Sequence, residues 1–329
     1  MTSAAYPDTP SGRDAWILAR RPARNRIDEN RPYAALVEPE RGEDGTVANV
    51  ATVFLSNREC PYRCLMCDLW KNTLPESVRP GAIPRQLDAA LAELPPASVI
   101  KLYNAGSFFD TKAIPSDDLT AIAERVRRFD RVIVECHPAL VGPAVERFRD
   151  LIDGALEVAM GLEAADDAVL AKLNKRMTLA SYADAARKLR RMGVASRAFV
   201  LVQPPFVAPE RAAVLAADSA RFAFEHGAGA VTLIPVRAGN GALDALAMTG
   251  EFAEPTLETF EDAFDLALAN GGGRVFADTW DLARFSACDA CREARERRVA
   301  QMNLTQRATP RFVCGACGSH AQQQRDAVT

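Results

Sequence analysis

The sequence predicts an α/β protein: a partial (β/α)6 barrel followed by a small module carrying four cysteines. Three observations lead there. Short apolar runs with the character of buried strands alternate with longer helix-like stretches. Apolar residues make up 48% of the 329-residue chain, ample for a core of that size. The rhythm then stops at Gly271-Gly-Gly273, and two Cys-x2-Cys pairs follow it. Alternation of this kind builds a parallel sheet with helices outside, closed or nearly closed into a barrel, with its chemistry in the loops after the strands.

Residues 1–47 read as an N-terminal extension. The first ten or so are polar and Pro-rich and are expected to be disordered. Residues 13–30 are dense in Arg around one apolar run, Ala15 to Leu18, and read as a solvated helix on the outside; the alternative is a basic lip that steers an anionic substrate. Ala34 to Val37, the turn-rich stretch 40–45, and Val47 to Leu55 predict a hairpin leading into a buried strand. The barrel is expected over 48–270. Its further strands are Val99–Leu102, Val132–Cys136, Leu156–Met160, Ala198–Val202 and Val231–Pro235. Its helices are Arg85–Leu94, Ser116–Phe129, Pro143–Ile152, Asp166–Leu173, Ser181–Met192, Pro209–His226 and Pro255–Ala269. Residues 271–329 form the terminal module, with the three glycines as a hinge and Arg274 to Phe276 as one more short strand.

A formal charge of −3 leaves no global basic footprint, which weighs against tight nucleic-acid binding but leaves a local patch open. Met1 to Gly12 has no apolar signal-peptide core, and no apolar run approaches 18 residues, so neither a signal peptide nor a membrane span is expected. That places the eight cysteines in a reducing cytoplasm. Seven of them fall into two spacing motifs, which favours metal ligation over disulfides.

Cys60, Cys64 and Cys67 have C-x3-C-x2-C spacing just after the first barrel strand. Neither a straight strand nor one helix face can point three such sulfurs at one centre, whereas a loop can. A tetrahedral zinc site needs a fourth ligand, and the only histidines, His137, His226 and His320, are remote in sequence. Three thiolates with one position left open suit a four-iron cluster that binds something else at its fourth iron.

This motif resembles the signature of the radical S-adenosylmethionine (SAM) superfamily, C-x3-C-x-aromatic-C, with Met66 departing at the aromatic position. Other segments agree strand by strand. Asn104-Ala-Gly106-Ser107 stands where the family's Gly-rich segment holds the SAM amino group. Glu135-Cys-His-Pro138 resembles the E-x-x-P of the elongator-like and coproporphyrinogen-dehydrogenase-like branch. Gly161-Leu-Glu163, with Leu173-Asn-Lys175-Arg-Met-Thr178, resembles a further block of that branch. Gly106 to Asp110 and Gln203-Pro-Pro-Phe206 are similar to the radical SAM subunits of archaeosine synthases.

The resemblance implies a [4Fe-4S] cluster on Cys60, Cys64 and Cys67, with SAM held near Met66, Asn104, Gly106, Ser107, Glu135, Glu163 and Lys175. It implies an electron donor such as flavodoxin or ferredoxin. It also implies reductive cleavage of SAM to a 5′-deoxyadenosyl radical that abstracts hydrogen from substrate. It assigns no further catalytic residue. Each of these side chains also has an ordinary reading. Gly106 with Ser107 fits a βα turn and helix cap. Glu135 and Glu163 fit salt bridges to arginines, and Lys175 fits a solvated helix end. Cys136 reads as a small core residue, and His137 is open. Thr232, Arg237 and Asn240 are candidates at the substrate mouth.

The pairs Cys288/Cys291 and Cys314/Cys317 read as a zinc ribbon or knuckle, with an auxiliary iron–sulfur cluster as the rival. Six arginines between 292 and 311 offer an RNA contact, or a clip holding the tail to the barrel; His320 is a spare ligand or a surface residue. The expected function is that of a radical SAM enzyme modifying a tRNA nucleoside. The alternatives are a small metabolite or peptide as substrate, and a non-catalytic metal-binding adaptor.

Overall fold

The computed structural model describes residues 5–318. Eight strands form one sheet in chain order: β1 (Ala34–Arg41), β2 (Val47–Leu55), β3 (Val99–Asn104), β4 (Arg131–Glu135), β5 (Ala155–Glu163), β6 (Ala195–Val202), β7 (Ala230–Pro235) and β8 (Arg274–Ala277). The β1–β2 hairpin is antiparallel, and every later neighbour is parallel. The sheet curves into a partial barrel whose two edges, β1 and β8, do not pair among the described residues.

Strand alternation sorts the side chains into two sets. Ile100, Leu102, Val132, Val134, Val158, Met160, Val200 and Leu233 are all buried in one core beneath the helices. The other set faces the barrel interior: Phe54, Tyr103, Phe199, Thr232 and Ile234 keep partial exposure there, as a lumen reached by solvent requires.

The helices are α1 (Pro10–Leu18), α2 (Ala82–Glu93), α3 (Leu119–Val126), α4 (Pro143–Leu151), α5 (Asp167–Lys172), α6 (Leu179–Arg191), α7 (Pro209–Glu225), α8 (Ala242–Met248), α9 (Leu257–Asn270) and α10 (Asp289–Thr305). Their starts follow local chemistry. Asp166 caps α5 through the Ala168 and Val169 amides, Thr178 and Ser181 form a capping box on α6, and proline opens α4 and α7.

Three stretches differ from expectation. The residues before Pro10 that are described are not loose: the Tyr6 ring packs on Trp16 and Phe206, and its hydroxyl donates to Lys172 O at 2.7 Å. The Arg-rich stretch is not a solvated helix throughout, because α1 ends at Leu18 with Trp16 and Ile17 buried, and 19–33 runs on as a non-helical strap. Arg21 and Arg24 find in Glu59 a carboxylate partner that a free helix face would lack. The terminal segment is no ribbon: a 17-residue helix, α10, separates the cysteine pairs, its Ala- and Arg-rich sequence favouring helix and Arg297 pairing with Glu293 one turn back. His320 lies outside the described residues.

Candidate active site at the open end of the barrel

The loop after β2 carries Cys60, Cys64 and Cys67 to the C-terminal end of the parallel strands. Three outside elements hold it. Asn240, 2% exposed after β7, donates to Leu65 O at 2.8 Å and Cys67 O at 3.3 Å while accepting the Leu243 amide. Asn174, beyond α5, donates to Arg63 O, and the Leu65 amide donates to Leu173 O. Glu59, beside Cys60, gathers Arg21, Arg24 and Arg63, so the N-terminal strap is tied across the loop. Burial pushes the thiols up, to about 11 for Cys60 and Cys64 and about 12 for Cys67. Metal coordination is what would make them thiolates.

The residues present fit a cluster with SAM. The donor set is three thiols, and the nearby imidazole is already engaged: His137 Nδ1 accepts the Ala139 amide, Nε2 lies 3.2 Å from Lys175 O, and the ring stacks on Tyr62 at 4.1 Å. His137 thus bridges the cysteine loop, through Tyr62, and the Lys175 backbone. Gly106 has φ +124°, and a Cβ there would lie 3.1 Å from Cys60 Cβ, so only glycine brings this turn against the cluster loop. Next to it, Asn104 is 1% exposed with both amide atoms unpartnered among the described residues, as a ligand-binding amide would be.

The remaining family positions are more occupied. The Ser107 hydroxyl points at Cys136 Sγ, 3.4 Å away, and Cys136 is a core thiol as expected. Glu163 and Lys175 pair with each other at 2.5 Å. Gly161 leaves that pair its space: a Cβ there would lie 2.5 Å from Lys175 Nζ and still closer to Glu163 Oε1. Met66 is a partly buried apolar residue packed against the buried cluster that includes Trp16 and Leu65. Glu135 is pushed up to about 8 by burial, against the pull of a hydrogen bond from the Asn104 backbone N–H and of Lys175, so it is largely neutral at pH 7.

The lumen beneath has an aromatic wall. Tyr33 packs on Phe54, Phe54 on Tyr103 and Tyr103 on Phe199, with ring centroids 5.6, 6.2 and 5.9 Å apart. Its floor is ionic: the Arg197 guanidinium, 2% exposed, forks onto Glu40 and reaches Glu157, which Lys101 and Arg131 support in turn. Of the mouth candidates, Thr232 faces the lumen. Arg237 pairs with Asp278 at 3.0 Å and sits 5.7 Å from the ring of Trp280, which is 73% exposed. Asn240 instead holds the cysteine loop. Six non-glycine residues with left-handed backbone, Glu163, Asn174, Arg176, Gln203, Phe206 and Asp281, lie at or beyond the ends of β5, β6 and β8. Such strain gathers where surrounding structure fixes a functional surface. Sequence reading missed Glu59 and the aromatic wall, and marked Asn174 only as part of the resembling block; for the wall, strand alternation gave the signal, placing Phe54, Tyr103 and Phe199 on one face.

The second cysteine group is compact. The sulfurs of Cys288, Cys291, Cys314 and Cys317 all lie within 4.8 Å of one another, and they can hold a metal. The basic segment between them turns inward: Arg295 and Arg298 pair with Glu261, and Arg298 and Arg311 with Asp265 on α9. Arg295, Arg298 and Arg311 thus form the clip, while Arg292 and Arg297 stay exposed and pair along α10 itself.

The family description for the radical SAM superfamily matches residues 55–212, the span from the end of β2 into α7. An uncharacterized protein of Methanocaldococcus jannaschii is 23% identical over 66% of this chain and 63% of its own length. The archaeosine synthase subunit beta of Methanosarcina acetivorans is 24% identical over 51% of this chain and 52% of its own. The chain therefore matches less than two thirds of each of these relatives. In fold it is similar to the archaeal Elp3 of Methanocaldococcus infernus, with a TM-score of 0.50 at 15% identity over 70% of this chain and 60% of that one. No described helix is long and apolar enough to cross a membrane. With its cysteine loop above the open end of the parallel sheet, the region 55–212 of this chain matches the radical SAM superfamily, and that likeness supports an enzyme of this kind.

Proposed function

We propose that the enzyme modifies a nucleoside of tRNA. The observation that carries this reading is the aromatic wall of the lumen, Phe54, Tyr103 and Phe199, beside the cysteine loop and above a sealed floor. Flat aromatic faces inside a recess suit a planar base turned out of its strand. The likeness to archaeosine synthase subunits beta supports the same substrate class. With a [4Fe-4S] cluster on Cys60, Cys64 and Cys67, one electron from a flavodoxin or ferredoxin in the cytoplasm would split bound SAM into methionine and a 5′-deoxyadenosyl radical that takes hydrogen from the substrate. The chain's own part is to position. Gly106 admits the close turn, Asn104 offers a free buried amide, and neutral Glu135 can donate a hydrogen bond at the rim. A small metabolite or peptide is the second reading, favoured by the inward-paired arginines and the net charge of −3.

At the C-terminal cysteines the reading is zinc. Cys288 and Cys314 sulfurs are 3.9 Å apart and those of Cys291 and Cys317 are 4.0 Å apart. A tetrahedral ion with bonds of about 2.3 Å spaces its thiolates by about 3.8 Å, whereas an iron–sulfur cube, with each thiolate on a different iron, spreads them wider.

The test is anaerobic reconstitution with SAM and a strong reductant, presenting tRNA and a small-molecule filtrate from the same cells separately. The expected result is 5′-deoxyadenosine formation stimulated by tRNA, with a mass change in one nucleoside of its digest. Stimulation by the filtrate alone overturns the tRNA reading, and absence of 5′-deoxyadenosine under all conditions overturns the chemistry.

A further inference from the structure

A sheet edge leaves a row of amides and carbonyls unpaired, and natural proteins cover it. Here the outer edge of β8 is covered by side chains. Asn303 accepts the Ala277 amide at 2.7 Å and donates to its carbonyl at 2.9 Å. Gln306 does the same for Val275, at 2.7 and 2.8 Å. Each carboxamide thus acts as one residue of a ninth strand, although both belong to the C-terminal end of α10 and its cap. The other sheet edge is tied to the same place: Arg41 of β1 donates to Leu304 O, and Arg274 of β8 donates to Arg41 O. α10 therefore fills the seam between β8 and β1 as a stave, with Val299 and Met302 fully buried.

What fixes the other end of this stave is the cysteine group. Cys288 is the N-cap residue of α10, and Cys291 lies fully buried in its first turn. Cys314 and Cys317 come from the tail that returns along α9, where Arg311 pairs with Asp262 and Asp265. Thiolates at a helix N-terminus are favoured by the helix dipole. Arg295, one turn further along α10, pairs with Glu261 on α9 and so ties this end of the helix to its neighbour.

We propose that a single tetrahedral zinc ion on Cys288, Cys291, Cys314 and Cys317 is the latch that keeps α10 in the seam and so keeps the β1 and β8 edges bridged. This rests on the zinc reading above and is independent of the substrate. The ion joins the first turn of α10 to the tail; without it the helix loses its anchor, and the two carboxamides leave the β8 edge.

The test uses the full chain and reads metal content together with hydrogen exchange of the Val275 and Ala277 amides. The wild-type protein should hold one zinc beyond its iron. Cys317→Ser, at the exposed member of the group, should lose the zinc, and exchange at both amides should rise about tenfold or more, with β3 to β5 unchanged. Asn303→Leu with Gln306→Leu should keep the zinc and show the same acceleration. Comparing wild-type protein before and after chelation gives the same readout if the serine variant fails to fold. Iron in place of zinc at these cysteines overturns the zinc reading. Zinc that can be removed without faster exchange at Val275 and Ala277 overturns the latch and leaves the zinc reading standing.

Discussion

Replacing Arg197 by Met tests the barrel floor. Its guanidinium donates through Nε to Glu157 at 2.7 Å and through both terminal nitrogens to Glu40 at 2.6 and 3.1 Å, and it lies 5.4 Å from the Phe276 ring. Methionine fills most of the volume and supplies no charge. Removing one partner of a buried ion pair costs about 3–5 kcal/mol, because the remaining charge is left without its counter-ion. The network softens this loss, since Glu40 keeps Lys101 at 2.5 Å and Glu157 keeps Arg131 at 2.9 Å. The expected cost is therefore at the lower end, about 3 kcal/mol. Urea unfolding followed by far-UV circular dichroism at neutral pH measures it.

The same variant predicts a change on the acid side. Burial alone would raise Glu40 and Glu157, but Arg197, with Lys101 and Arg131, holds both below the usual carboxylate range. A depressed carboxylate contributes stability that is fully present above its unfolded pKa, near 4.3, and lost as pH falls through its folded value. The wild type should therefore lose stability steeply below about pH 4.5, and the variant should lose less over that window. Adding Glu157→Leu removes the stranded charge and should recover more than half of the neutral-pH loss. A single-variant cost below about 1 kcal/mol, or a double variant no more stable than the single, would refute the floor as a charge-coupled plug.

Three further substitutions address the upper site. Gly106→Ala should strain the backbone by about 1–3 kcal/mol and crowd Cys60, cutting iron incorporation several-fold while circular dichroism stays native. Asn240→Ala frees the carbonyls of Leu65 and Cys67 and uncaps α8. It should weaken the loop by about 1–3 kcal/mol, read as faster cluster loss to a chelator with little change in the unfolding midpoint. Glu135, raised to about 8, contributes stability that is present below its unfolded pKa and lost as pH rises through 8. Glu135→Gln should therefore flatten the fall in urea midpoint between about pH 5 and about pH 8, and parallel curves for the two proteins would count against a neutral Glu135.

What could be read from the sequence was what local pattern decides. The six barrel strands and the hairpin announce themselves as short β-branched runs, and the cysteine loop as a spacing no helix or strand can serve. What could not be read depends on distant partners. The charge run at 13–30 looked solvated because Glu59, which gathers Arg21 and Arg24, lies more than thirty residues further on. The tail looked like a ribbon because Cys-x2-Cys pairs say nothing about the segment between them, and α10 is specified instead by its fit to α9 and the β8 edge. Asn240 looked like a substrate contact because its place after β7 is visible in sequence, while the carbonyls it holds are 173 and 175 residues away.

The distribution of charge inside the fold bears on the substrate more than the net charge does. Three groups of arginines that would make a basic patch by count are spent internally. Arg21, Arg24 and Arg63 sit on Glu59; Arg131, Arg197 and Arg274 bind Glu157, Glu40 and Glu43 around the floor; and Arg295, Arg298 and Arg311 bind the acidic face of α9. A phosphate backbone would find these nine arginines already paired, so they can add little counterion release to its affinity. On the tRNA reading, recognition then runs through shape and stacking at the lumen. Retention should fall only gently with salt, whereas replacing Phe199 by Ala should weaken it at every salt concentration. A steep salt dependence left intact by Phe199→Ala would move recognition out of the lumen and onto a surface that the arginine pairings do not provide.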